Sequence, residues 1–178
     1  VVSGGRDLQA SHDLAVELDP ARAQLTGIDR ITLSNPGASA IRLLIGEHVV
    51  IDSLRINGND VRYRRQGARM TVDLPAAGDL EALPIEIRYS GRFADPAPSD
   101  PINTDNPGFG VSGTISPRGT LLLGGAGWYP TVGGAAERFR LEVAAPHGIR
   151  SVTAGRPLAV TQRGDLTVSA WQIDIPVE

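Results

Sequence analysis

Apolar residues recur at every second position through most of this chain, and no segment sustains the 3.6-residue spacing of a helix face. Successive side chains of a strand point to opposite faces, so a period of two specifies half-buried strands. Leu14, Val16 and Leu18 alternate with Asp13, Ala15, Glu17 and Asp19. Asp19-Pro20-Ala21-Arg22 then reads as a turn, because Pro presets its own φ and Asp can bond the turn backbone. The return strand carries Leu25, Ile31 and Leu33 on one phase with Gly27 between them, and Ile28 falls out of phase. That pattern predicts a bulge or a close backbone approach near Gly27. Asn35-Pro36-Gly37 closes the hairpin.

Strands are predicted next over Ile41 to Ile45 and Val49 to Ile56, the second ending at Asn57-Gly58. Asn-Gly between apolar runs is a strong hairpin signal, since both central residues of a type I′ turn need positive φ. Val61 and Tyr63 continue the return strand; Met70, Val72 and Leu74 form another, and Leu83, Ile85, Ile87 and Tyr89 a very regular one. Gly78 to Leu83 offers one helical turn at most. From Ala94 to Arg118 the pattern lapses into five prolines and three glycines. A connection of that length is functional or disordered in most compact domains. Strands resume at Thr120 to Leu123, Phe139 to Val143, Ile149 to Val152, Leu158 to Val160 and Leu166 to Val168. The expectation is one all-β domain over residues 1–178, an antiparallel β-sandwich or saddle-shaped open barrel. A chain of this length buries roughly 70% of its unfolded surface and needs no staple.

Composition removes several functions. There is no cysteine, hence no disulfide, thiolate zinc site or cysteine nucleophile. The net charge is -3, and the local basic cluster Arg62, Arg64, Arg65 and Arg69 has only Tyr63 beside it. Nucleic-acid binding would need a broad basic stripe with stacking aromatics, so a solvated hairpin face is expected and no nucleic-acid partner. No apolar run reaches the ~18–20 residues of a membrane span. Val1-Val2-Ser3-Gly4-Gly5 lacks the charged and apolar regions of a signal peptide, as it also would after cleavage. The compartment is left open, leaning toward the periplasm or secretion over the cytoplasm.

Candidates for chemistry are sparse. His12, His48 and His147 lie far apart, without the paired imidazoles on one helix face that a zinc hydrolase uses. They are expected to be ordinary surface or strand-end histidines. No serine sits in a Gly-x-Ser-x-Gly elbow. Asp95, Asp100, Asp105 and Asn106 share a short stretch and carry the oxygen ligands calcium prefers, but without EF-hand spacing; a solvated loop is the expectation. Gly124-Gly125 and Gly133-Gly134 do not lead into a helix and so do not form a phosphate cradle. Trp128 and Trp171 are amphipathic: Trp171 is expected to pack with its N–H satisfied at a sheet edge, whereas Trp128, behind Gly124-Gly125-Ala126-Gly127, suits a cleft as well as a core.

Taken in order, several fragments resemble the N-terminal domain of the M1 (gluzincin) zinc aminopeptidases. They are Leu25-Thr26-Gly27 and Ile31-Thr32-Leu33; Leu54 to Tyr63 around Asn57-Gly58; Met70 to Pro75; Ile85 to Gly91; Leu121 to Leu123; Trp128-Tyr129-Pro130; Phe139 to Val143 with Pro146; Ala154-Gly155; and Trp171 to Pro176. The resemblance implies a non-catalytic front domain that packs on a thermolysin-like catalytic domain and shapes the peptide-binding cleft. Neither the Gly-x-Met-Glu-Asn nor the His-Glu-x-x-His motif of that catalytic domain occurs here, so no catalytic residue, metal ligand or cofactor is assigned to this chain. Zinc is expected in the missing catalytic domain of the same polypeptide, and a peptide as the parent enzyme's substrate. In the family the loop before Trp-Tyr-Pro often supplies Gln or Glu near the substrate amine. Here it reads Gly124, Gly125, Ala126, Gly127, which with Trp128 form the expected cleft rim. The rival reading is a free-standing β-sandwich that binds a carbohydrate or protein through Trp128, Tyr129 and the 94–118 loop.

Overall fold

The computed structural model describes residues 8–34, 39–74, 82–96 and 111–177, with side chains through residue 174. The long strands are β1 (Gln9–Asp19), β2 (Gln24–Ser34), β8 (Ala82–Arg92), β12 (Ala136–Pro146), β13 (Arg156–Arg163) and β14 (Leu166–Val177). Shorter ones are β3 (Ala40–Leu44), β4 (Val50–Ile56), β5 (Asn59–Asp60), β6 (Tyr63–Gln66), β7 (Arg69–Asp73), β9 (Gly113–Ser116), β10 (Gly119–Leu122) and β11 (Thr131–Val132). A 3-10 turn spans Gly124–Ala126, and there is no α-helix among the described residues. The all-β expectation holds.

An eight-stranded sheet runs β13-β14-β12-β1-β2-β8-β4-β5, and a four-stranded sheet runs β11-β3-β7-β6. The inward phases of both meet in one core. Leu14, Leu25, Leu33, Ile85 and Ile87 from the large sheet cluster with Ile41, Leu43, Met70 and Val72 from the small one, all nearly or fully buried. Strict alternation in β1, β2 and β8 is what makes one sheet face apolar and the other wet.

One seam departs from a pure hairpin arrangement. β1 pairs with β12 in parallel, from Gln9↔Ala136 to Glu17↔Ala144. The β12–β14–β13 meander therefore joins the sheet at β1 and ends in an edge strand, β13, whose residues are all exposed.

Several local expectations are corrected. The β1–β2 and β2–β8 ladders run through Gly27 without a register shift, so there is no bulge. The close approach is instead by a side chain: a Cβ on Gly27 would lie 2.3 Å from Cζ of Tyr89. Asn57 and Gly58 do take positive φ, 50° and 78°, as the type I′ turn requires. Their return strand stops after Asp60, however, and Tyr63 begins β6 in the other sheet. Within the 94–118 stretch, Gly113–Ser116 forms β9, paired with β10, and Ala94 bridges to Thr114. Ile149 to Val152 is not a strand. Gly148 at φ 86° turns the chain, Ile149 N–H bonds the Pro146 carbonyl at 3.0 Å, and Val152 is 88% exposed. Asn35-Pro36-Gly37, Gly78 to Glu81, Asp100, Asp105 and Asn106 lie outside the described residues.

Candidate functional site

The segment from Leu123 to Pro130 is a ridge built on backbone hydrogen bonds. Leu123 N–H reaches the Ser112 carbonyl at 2.9 Å, which anchors the ridge to the β9–β10 hairpin. Ala126 and Gly127 N–H close the 3-10 turn on Leu123 and Gly124 at 3.0 Å each. Gly127 is left-handed, φ 60°, and its carbonyl accepts from Gly46 N–H at 2.9 Å. A Cβ at Gly127 would lie 2.4 Å from that same nitrogen, so only glycine permits the approach.

The expected rim residues therefore divide. Gly124 and Gly125 are exposed, and a Cβ on either would touch nothing within 4 Å. Ala126 is buried and Gly127 is pinned, which makes them the ridge's footing. Trp128 is half-buried against the core, its ring edge-on to Tyr129 at 4.6 Å, and Tyr129 is edge-on to Phe139 at 5.3 Å. Trp171 packs half-buried with its indole N–H satisfied, as expected, by Ser151 Oγ at 3.0 Å, but on β14 inside the large sheet and not at its edge.

Two open depressions flank the ridge. One, of about 440 Å³, is apolar: Leu18, Leu122, Trp128, Leu141, Val143 and Ile149 line it. Close by in sequence, Leu121 and Leu123 are 44% and 40% exposed. The other, of about 700 Å³, is lined by Leu8, Gly124, Tyr129, Gly133, Gly134 and the buried Glu137.

Glu137 belongs to a buried charge cluster that corrects the expectation for His12. His12 is neither at the surface nor at a strand end. It sits on the inward phase of β1, 2% exposed, with Nδ1 2.7 Å from Asp29 Oδ2 on the inward phase of β2. Its Nε2 is 3.4 Å from Glu137 Oε1 on β12, an ionic contact without hydrogen-bond alignment, and that oxygen also accepts Val132 N–H. The imidazole stacks on Phe139 at 4.4 Å. Burial alone would lower its pKa; the Asp29 hydrogen bond, the close Glu137 oxygen and the charges of both carboxylates more than reverse this and raise it to about 9. Burial pushes the Asp29 carboxyl up, against the pull of His12. Asp29 Oδ1 and the Tyr89 hydroxyl have no partner among the described residues.

The sequence carried a signal for this cluster. His12 falls in the Ala10-x-His12-x-Leu14 phase and Asp29 in the Gly27-x-Asp29-x-Ile31 phase, both core-facing. His48 and His147 are exposed and remote from it, the first edge-on to Phe93 at 4.7 Å and the second 3.2 Å from Gln162 Oε1. Among the described residues no group of three His, Asp or Glu is placed to hold a metal ion.

Asp95, the described member of the acidic loop, works as a clasp. Its Oδ2 accepts from Ser112 N–H, Ser112 Oγ and Gly113 N–H at 2.8, 3.1 and 2.8 Å. Those bonds, led by the Gly113 N–H, hold its pKa below the usual carboxylate value. Arg65 is also structural, donating to the Val49 and Gly46 carbonyls at 2.6 Å each, while Arg64 pairs with Asp73 at 2.9 Å on the exposed hairpin face.

No protein-family model matches the chain, and no curated protein matches its sequence. Solved structures do match. The M1 zinc metallopeptidase from Deinococcus radiodurans superposes with a TM-score of 0.66 at 18% identity, over 97% of this chain and 40% of that one. A mutant of that enzyme bound to a Tyr-Ser-Ala substrate gives 0.67 at 20% identity. Native yeast LTA4 hydrolase gives 0.63 at 11% identity, over 99% of this chain and 28% of that one. This is the M1 N-terminal domain fold. The chain spans well under half the length of the enzymes it matches. No helix among the described residues is long and apolar enough to cross a membrane.

Proposed function

We propose that the chain is the non-catalytic N-terminal domain of an M1-like zinc metallopeptidase, packing on a catalytic domain and shaping its peptide cleft. The observation that carries this reading is the match itself: nearly the whole chain superposes on less than half of each enzyme. In this reading zinc and the reacting groups belong to the catalytic domain. The front domain contributes wall, with Gly124 and Gly125 bounding the cleft without a side chain and Trp128 bracing the ridge behind them.

The test uses this chain alone. Purified protein is expected to fold, to bind no stoichiometric zinc by metal analysis, and to show no turnover of amino-acid 4-nitroanilides or peptides. Zinc-dependent peptidase turnover by the isolated chain would overturn the proposal. Saturable binding of a glycan or peptide at micromolar strength, with no affinity for an M1 catalytic domain, would replace it with the binding-module reading.

A further inference from the structure

The depression on the Gly124 side of the ridge has the chemistry of a cation site. We infer that it receives the guanidinium of an arginine side chain, held by the Glu137 carboxylate, from a protein segment packed over this face. The inference rests on the proposed function only for the arginine's source; the site itself belongs to this chain.

Charge is the first argument. The His12–Asp29 pair is neutral overall wherever its shared proton sits, as imidazolium with carboxylate or as imidazole with carboxylic acid. Nothing in the pair therefore cancels the charge of Glu137. The titratable side chains around His12 are Asp29 from β2, Glu137 from β12 and, through these two carboxylates, Asp13 from β1, Tyr89 from β8 and Tyr129 from the ridge; no arginine among the described residues joins them. Glu137 is buried, its side chain 9% exposed. One oxygen is taken by Val132 N–H and by His12, and the other, Oε2, meets no donor among the described residues. A carboxylate that is nine-tenths buried, with its second oxygen still open to solvent beside a depression, favours a cationic visitor.

Shape selects the cation. Gly133, Gly134 and Ala135 line the walls, leaving room for a long side chain. Tyr129, from the ridge, adds an aromatic ring beside the carboxylate. A planar fork that bonds a carboxylate and stacks on a ring is guanidinium chemistry; an ammonium uses such a site less fully.

The experiment titrates this chain with N-acetyl-argininamide, followed by amide and His12 imidazole resonances. The neutral isostere N-acetyl-citrullinamide and the free amine alaninamide serve as comparisons. The expected result is saturable binding of the arginine compound that shifts Gly133 and Gly134, with the citrulline compound at least about tenfold weaker. Cation and His12 proton compete for one carboxylate, so the His12 pKa should fall on binding, which no purely structural role for Glu137 would produce. Glu137→Gln keeps an acceptor for Val132 N–H and should abolish binding. Gly124→Trp should weaken it by obstruction while the His12 resonance stays in place, a check that does not depend on the buried cluster. Equal binding of the citrulline compound, or binding that survives Glu137→Gln, would overturn the inference. Tighter binding of alaninamide would overturn the arginine assignment in favour of a free amine. Loss of the cation site leaves the domain reading intact, and zinc turnover by the isolated chain leaves the cation site intact.

Discussion

His12 Nδ1 and Asp29 Oδ2 stand 2.7 Å apart with neither side chain reaching solvent, tying β1 to β2. Removing Asp29 leaves buried His12 with only the longer Glu137 contact, and removing His12 leaves Asp29 buried without a counter-charge; breaking such a pair costs about 3–5 kcal/mol. Asp29→Leu is therefore expected to destabilise strongly in urea unfolding. The double variant His12→Leu/Asp29→Leu should recover a large part of the loss, because desolvated charge is replaced by packing. If the double variant is as unstable as the sum of the singles, the pair is not coupled as described.

The same pair sets a pH dependence. His12 titrates near 6.5 in the unfolded chain and at about 9 in the fold. Between those values the native state keeps a proton that the unfolded chain releases. The stabilisation is thus fully present below about pH 6.5 and is lost as pH rises through about 9, in total roughly 3 kcal/mol. Urea midpoints measured from pH 6 to 10 should fall over this window. The slope should flatten in His12→Leu.

Gly27 and Tyr89 face each other across the β2–β8 ladder, with the tyrosine ring occupying the space a side chain would need. Gly27→Ala is expected to cost about 1–3 kcal/mol by overpacking. Tyr89 is fully buried, so Tyr89→Leu should relieve that clash while opening a cavity of its own. A double-mutant cycle on thermal unfolding should show a favourable interaction between the two changes.

Gly127 and Gly124 make a matched contrast three residues apart. Gly127→Ala places a Cβ 2.4 Å from Gly46 N at a left-handed φ of 60°, and should cost about 2 kcal/mol and break the Gly46–Gly127 hydrogen bond. Gly124→Ala meets open space and should stay within about 0.5 kcal/mol of the parent. Hydrogen exchange at the Gly46 amide distinguishes the two, faster only in the first.

Period-two segments were legible because local alternation is enough to assign a strand and its inward face: Leu14, Val16 and Leu18 needed no partner to be placed. Asn57-Gly58 was legible because two positive φ values demand those residues. What failed depended on distant partners. Gly113-Thr114-Ile115-Ser116 has too few apolar residues to alternate, and becomes a strand only because β10 returns on it. Ile149 to Val152 has strand composition but follows a left-handed Gly148, and crosses over the sheet rather than joining it. In the candidate site, the open Gly124-Gly125 stretch could be anticipated. Glu137 could not, since its meeting with His12 is made by the β1–β12 register, which no local pattern encodes.

That register has a consequence for synthesis. β1 leaves the ribosome long before β12, and β2 follows it within a few residues to cover one of its edges. Its other edge must wait for Ala136 to Ala144. Through that interval the nascent chain presents an unpaired strand edge, with Glu137 not yet beside His12, so this seam is the place where a stalled or crowded chain should mispair with a neighbour.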